Sequence, residues 1–305
     1  MNDSVTLSTF QFFEKFPNQE TARVYLEEQL WVDGPLCPTC GGKNVTSRKG
    51  GYYRCNPCKF DFTVRTGTIF ERSHIPLHKW LYGMYLLVTS RKGVSSLQLS
   101  KEIGITQKST WFMLHRLREV CGDNSIKLAG IVEIDETFIG GKERNKHASK
   151  KLNAGRGTVG KVAVLGMRER GGRTVAMPVV GTDKATLQAE IRANVETTAT
   201  IHTDQHGGYD GLGADFKAHE TIDHSAGEYK RGNVSTNGIE SVWAVMKRGV
   251  YGVYHHVSDK HLGLYTNEFA FRLNDGNVGR QTMDRIASIV EGSTGHRLTY
   301  KALTT

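Results

Sequence analysis

Long hydrophobic runs are missing from this chain. No apolar stretch approaches the roughly 20 residues that a membrane-spanning helix needs. The polar opening MNDSVTLSTFQFF has neither the charged leader nor the apolar core of an export signal. Cysteine is scarce: five in 305 residues exclude a disulfide scaffold. Acidic charge is in the minority, with 31 Asp and Glu against 40 Lys and Arg, and the formal net charge of +9 favours a polyanionic partner without requiring one. A soluble, cytoplasmic protein with no membrane partner is expected, long enough for about two domains and a sizeable core.

Four of the five cysteines form two close pairs, Cys37-Pro-Thr-Cys40 and Cys55-Asn-Pro-Cys58, separated by fourteen residues. Two residues between cysteines let both thiolates of a knuckle reach one ion, and two knuckles complete a tetrahedral zinc site. Such a site is closed and therefore structural. A redox use of either CxxC is disfavoured because no βαβ pattern surrounds it. Cys121, alone near the end of a helical run, reads as a small apolar core residue. The stretch from Phe10 to Leu30 predicts a short helix packed on the ribbon, and KFDFTVRTGTIF alternates like strands that complete it.

From Pro76 to about Gly122 the pattern turns helical, through HKWLYGMYLLVTSRKG, SSLQLSKEIG and TQKSTWFMLHRLREV. The last two, joined across Gly104 and Ile105, have the form of a helix-turn-helix with Thr106 as N-cap, leaving Gln107, Lys108, Ser109 and Arg116 for DNA. A plain helical hairpin is the alternative.

Beyond Gly130 a strand carrying Asp135 is followed by two strand-like runs across a GG turn, a helix-like DKATLQAEIRANV, a strand carrying Asp204, a strand-like HETIDH, and a helical segment carrying Glu240. This is the element order of an RNase H-like α/β domain, with a mixed five-stranded sheet, helices, and a helix in the connection after the Asp204 strand. Carboxylates converging from strand ends and a helix suit two divalent cations roughly 3.5 to 4 Å apart. Glu133 and Glu136 compete with Asp135, and Asp210 and Asp215 with Asp204.

These blocks together, CNPCKFDFTVRTGTIFERSHIPLHKW, VEIDETFIGGK, HTDQHGGYDGL and NGIESVWAVMKRGVYGVYHHVSDKHLGLYTNEFAFRLN, resemble bacterial insertion-sequence DDE transposases with an amino-terminal zinc ribbon, a group related to the Merlin elements. The resemblance implies Asp135, Asp204 and Glu240 as catalytic ligands of two Mg²⁺ or Mn²⁺ ions, with Lys247 on the same helix face as Glu240 reaching DNA phosphate or the terminal bases, and Arg248 beside it. Asn237, one turn before Glu240, offers a weaker neutral oxygen and is taken as a DNA contact. Also implied are double-stranded DNA as partner, at the element's ends and at the target, terminal inverted repeats as the sequences bound, hydrolysis followed by strand transfer, a homo-oligomer around paired ends, and a nucleoid location.

Between the first two core strands, residues 142–161 hold seven Lys and Arg against one Glu. Lys146, Lys150, Lys151 and Arg156 are expected to touch phosphates. His255, His256 and His261 are interleaved with aromatic residues and expected to pack against the Glu240 helix. Two other function classes stay open: an RNase H-like endonuclease or resolvase, and an inert zinc-ribbon regulator derived from a transposase. The expected domains are 1–73 (helix and zinc ribbon), 74–125 (helix-turn-helix region), 126–280 (catalytic) and a tail at 281–305.

Overall fold

The computed structural model describes residues 6–122, 126–141, 143–152, 154 and 157–305. The chain divides into two compact units, Met1–Cys121 with Asp275–Thr305, and Gly122–Asn274. The first opens with helix α1 (Thr9–Lys15), started by a capping box in which Ser8 and Gln11 satisfy each other's backbone N–H groups. Asn18 caps α2 (Gln19–Leu30) by accepting from the N–H groups of Glu20 and Thr21. An antiparallel ribbon follows: β1 (Val45–Arg48), β2 (Tyr52–Cys55) and β3 (Asp61–Phe62). Tyr53 joins ribbon to helix, with its ring between Trp31 and Phe62 and its hydroxyl donating to Glu27 at 2.9 Å.

The strand expected to run on through TVRTGTIF stops at Phe62. There the Thr66 hydroxyl accepts from the Thr63 N–H at 3.1 Å, a local bond that replaces the ladder with a turn. Three helices come next, α3 (Leu77–Thr89), α4 (Ser96–Ile103) and α5 (Gln107–Val120). Gly104, at φ 63, ends α4 in the left-handed conformation, and Thr106 caps α5 by accepting from the Ser109 N–H, so the turn expected between two helices is present.

The second unit is built on β4 (Ile131–Ile139), β5 (Val162–Glu169), β6 (Thr174–Val179), helix α6 (Lys184–Asn194), β7 (Thr200–Asp204), β8 (Ala218–Ile222), α7 (Asn237–Gly249) and α8 (Leu262–Leu273). The sheet order is β6-β5-β4-β7-β8, antiparallel through the first three strands and parallel from β4 to β7 to β8. This mixed five-stranded sheet with a helix layer on each side is the RNase H-like fold. Val132, Ile134, Leu165 and Ile201 pack with Leu187 and Ile191 of α6 on one face. Ile139, Val164 and Ala176 pack with Ile239, Val242, Trp243 and Met246 of α7 on the other. The helix expected between β7 and β8 is reduced to two 3₁₀ turns, Gly207–Tyr209 and Leu212–Ala214.

The second unit closes at Asn274, and the residues expected as a tail return to the first unit through α9 (Thr282–Glu291) and α10 (Tyr300–Thr304). Arg285, 2% exposed, donates to the Val88 carbonyl at 2.6 Å, and the Leu7 N–H donates to Thr282 Oγ1 at 3.0 Å. Ribbon and helical region both fall within this one unit.

One glycine decides how closely α7 approaches the sheet. A Cβ at Gly166 would meet the Trp243 ring at 2.4 Å and Ile239 Cδ1 at 2.8 Å. Gly166→Ala is therefore expected to lower stability by about 1–3 kcal/mol through overpacking, measured by denaturant unfolding. An unchanged midpoint would show that α7 has freedom to retreat.

Candidate functional site

The four cysteines of the ribbon meet. Cys37 and Cys58 sulfurs are 3.6 Å apart, Cys40 and Cys55 sulfurs 3.5 Å, and all four lie within 4.8 Å of one another. Tetrahedral zinc at roughly 2.3 Å from each sulfur spaces them by about this much, so the donor set fits a structural zinc ion with no position left for substrate. The first knuckle closes through Gly41 N–H to Cys37 O at 2.8 Å and Cys37 N–H to Gly42 O at 3.1 Å. A Cβ on Gly42 would crowd the Cys40 sulfur at 3.3 Å. Cys121 is buried at the end of α5 and donates to the Leu117 carbonyl at 3.2 Å, in keeping with a core role.

Strand alternation sorts the acids of β4. Glu133 and Asp135 project toward α7, while Glu136 projects to the opposite face beside Tyr209, whose hydroxyl donates to it. Asp135 is the fifth of nine strand residues and does not end its strand, because residues 136–139 continue to pair with β5. The parallel ladder to β7, however, stops at Glu133 opposite His202. Asp204 ends β7, so the two aspartates stand level with each other where β4 and β7 part. Crevices beyond the carboxyl ends of parallel strands are the usual ligand sites of α/β sheets.

Asp135 is half-buried, and its carboxylate accepts the Trp243 indole N–H at 2.9 Å. Burial first, then the nearby charges of Glu136 and Asp204, push its pKa up to about 7 against the pull of that hydrogen bond. Asp204 Oδ1 accepts the His206 N–H at 3.2 Å in an Asx-type turn.

The competing acids have other partners. Glu133, 4% exposed, accepts from Arg170 at 2.7 Å and from the Ile239 N–H at 3.1 Å, so it anchors the first turn of α7. A Cβ at Gly238 would meet Glu133 Oε2 at 2.4 Å, so the second residue of the helix has room for glycine alone. Asp215 is paired with Arg192 at 2.7 Å, and Asp210 is exposed after the first 3₁₀ turn.

Glu240 does not join the aspartates in this arrangement. Its Oε1 accepts the Thr236 hydroxyl at 2.9 Å and lies 3.3 Å from His224 Nε2. Among the described residues only the cysteines form a ligand group within 4.8 Å. Lys247 lies two turns beyond Glu240 on α7, half-buried, with Arg248 and Asn237 exposed.

The other basic residues vary. Gln107, Lys108 and Ser109 are exposed on the first turn of α5. Arg116 corrects an expectation: its guanidinium donates to the carbonyls of Ile69 at 2.7 Å, Glu71 at 2.9 Å and Leu298 at 3.3 Å, making it a structural tie and not a free DNA contact. Lys146 pairs with Glu143 at 2.7 Å, and Lys151 is exposed. Arg156 and the side chain of Lys150 fall outside the described residues. His255 and His256 are exposed, and Tyr254 does the packing expected of them, 4.7 Å from the Tyr265 ring. Nothing in the spacing of residues announces the hydrogen bond from Trp243 to Asp135. The partners of Glu240, Thr236 and His224, carry no sequence signal either.

A four-cysteine ribbon thus precedes a mixed five-stranded α/β domain along the chain. Residues 127–274 match the ISXO2-like transposase domain and residues 17–60 match the transposase zinc-ribbon domain. The chain is 29% identical over 272 residues to an uncharacterized protein in transposable element ISH50 of Halobacterium salinarum, covering 84% of this chain and 91% of that one. In chain order, a segment similar to the transposase zinc-ribbon domain thus precedes one similar to the ISXO2-like transposase domain.

Two outcomes follow from the geometry. Cys55→Ser should lose most of the zinc, measured by elemental analysis, and loosen the ribbon; full retention would contradict the four-sulfur site. Because the pKa of Asp135 is raised, its contribution to stability is complete below the unfolded carboxyl value and is lost as pH rises through about 7. With zinc as the only divalent cation, Asp135→Asn should therefore be more stable than wild type at about pH 8, by on the order of 2 kcal/mol, with the gap closing toward about pH 4. A variant less stable at both pH values would show that the carboxylate is not strained.

Proposed function

We propose that this transposase binds the terminal inverted repeats of its element in duplex DNA, cleaves phosphodiester bonds at the ends and transfers the freed 3′-OH to target DNA. The observation that carries this reading is the level pair Asp135 and Asp204 at the split between β4 and β7, within a matched transposase domain.

The donor set suits Mg²⁺ or Mn²⁺. Asp135, whose pKa burial and then the charges of Glu136 and Asp204 raise, forms with Asp204 an anionic site whose repulsion a cation relieves. Bound there, two such ions would supply nucleophile activation and charge neutralisation at the leaving 3′-oxygen. Asp135 and Asp204 hold them, with Asp135 oriented by the Trp243 indole. Glu240 completes the set by leaving Thr236 and His224, a side-chain rotation on a fixed helix. Lys247, on the same face of α7, contacts DNA phosphate, with Asn237 and Arg248 at the flanks. Lys146, Lys150, Lys151 and Arg156 add phosphate contacts from the β4–β5 connection. Two ends are brought together by at least a dimer.

Labelled element ends incubated with purified protein and Mg²⁺ test the reading. Wild type should nick and join strands, and Asp135→Asn, Asp204→Asn and Glu240→Gln should each lose roughly a hundredfold or more in rate. An active Glu240→Gln enzyme would remove Glu240 from the site. Cleavage without any joining would favour a plain endonuclease.

A further inference from the structure

We infer that the DNA-binding surface of the helix-turn-helix region extends onto the chain's carboxyl-terminal segment, residues 295–301, and that the cleft between this segment and α5 takes a backbone phosphate of duplex DNA. This inference rests on the reading that the protein binds DNA, and it adds a surface that residue spacing alone does not mark.

Helix α5 has little free surface. Met113, Leu114, His115, Leu117 and Arg118 are buried, leaving the first turn, the half-exposed Trp111 and Glu119, and a stripe of Lys108, Phe112 and the backbone-tied Arg116 spaced four residues apart on a single face. The carboxyl-terminal segment lies along that stripe. The Tyr300 ring meets Phe112 edge-on at 5.6 Å, and Lys108 Nζ sits 4.7 Å above the same ring. The Leu298 carbonyl accepts from Arg116 at 3.3 Å, Thr294 bridges to Thr68, and Leu303 is buried. DNA that reaches the outer stripe of α5 must therefore also meet this segment.

Charge decides whether the segment covers the helix or helps it. From Gly292 to Thr305 the side chains include His296, Arg297 and Lys301 and no acid. A competitor for a DNA-binding helix would carry negative charge; this segment carries the sign that attracts the polyanion. Between it and α5 is a cleft of about 220 Å³, lined among others by Arg72, Arg116, Arg297 and Thr299. Arg72 is 77% exposed and has φ 54, in the left-handed region that a non-glycine residue seldom adopts, and such outliers concentrate at functional sites. Glu71 is the acid in the lining. Its Oε2 accepts the Gly67 N–H at 3.1 Å, and its 3.7 Å contact with Arg72 is an exposed pair of little strength that a phosphate can displace. Contacts of this kind set affinity and register without reading sequence.

The test compares full-length, zinc-loaded wild type with Arg72→Gln/Arg297→Gln and with a chain ending at Gly295. The probes are a labelled duplex from the element's end and a mixed-sequence duplex of equal length, titrated across a range of KCl. The double variant should bind both duplexes about tenfold more weakly near 100 mM salt, and the slope of log K against log salt should fall by about 0.9, the change for one lost phosphate contact. Its zinc content and unfolding midpoint should match wild type. The truncated chain should bind more weakly as well. A wild-type slope in the double variant overturns the inference, as does tighter binding by the truncated chain, which would make the segment a cover. Wild type that binds neither duplex would overturn the DNA reading itself.

Discussion

The second unit depends on how α7 is seated against β4 and β5. Gly166 has no side chain, so the Trp243 ring drops onto the sheet, and its indole N–H reaches Asp135 at 2.9 Å. One turn earlier, Glu133 accepts the Ile239 N–H and Arg168 donates to the Gly238 carbonyl at 2.8 Å, so the first turn of α7 is held from both sides. A slip of one residue in β4 would exchange Glu133 and Asp135 for Val132, Ile134 and Glu136 on this face. The register of one strand thus fixes which carboxylate anchors the helix and which faces Asp204.

That seating divides labour among acids that look alike in sequence. Glu133 and Asp135 are two residues apart on one face, yet the first is paired with Arg170 and a helix N-terminus while the second faces like charges. Paired, Glu133 contributes to stability; crowded, Asp135 detracts from it until a cation or a proton arrives. Strain concentrated at Asp135 and relieved next door is the pattern expected of a site whose chemistry needs an unneutralised carboxylate.

Much of the fold was legible. Cysteine spacing announced the ribbon, Gly104 and Thr106 announced the turn before α5, and alternation against helical spacing showed the succession of strands and of α7 along the chain. What stayed hidden depended on contacts between distant residues. The TVRTGTIF stretch alternates like a strand, but threonine hydroxyls there bond locally. Arg116 has the position of a DNA contact, and only the fold reveals three backbone carbonyls around its guanidinium. Residues 281–305 read as a tail because the partner of Arg285, the Val88 carbonyl, is 197 residues away. Of the candidate site, the two aspartates were visible as strand residues, whereas the hold of Thr236 and His224 on Glu240 could not be read from spacing.

The central claim is that Asp135, Asp204 and Glu240 together grip divalent cations when DNA is bound. Anomalous scattering from a manganese-soaked crystal of the protein with its element end addresses it directly. The account predicts density between Asp135 and Asp204 with Glu240 rotated off His224 and into coordination. Manganese absent from that crevice, with Glu240 still on Thr236 and His224, would contradict it.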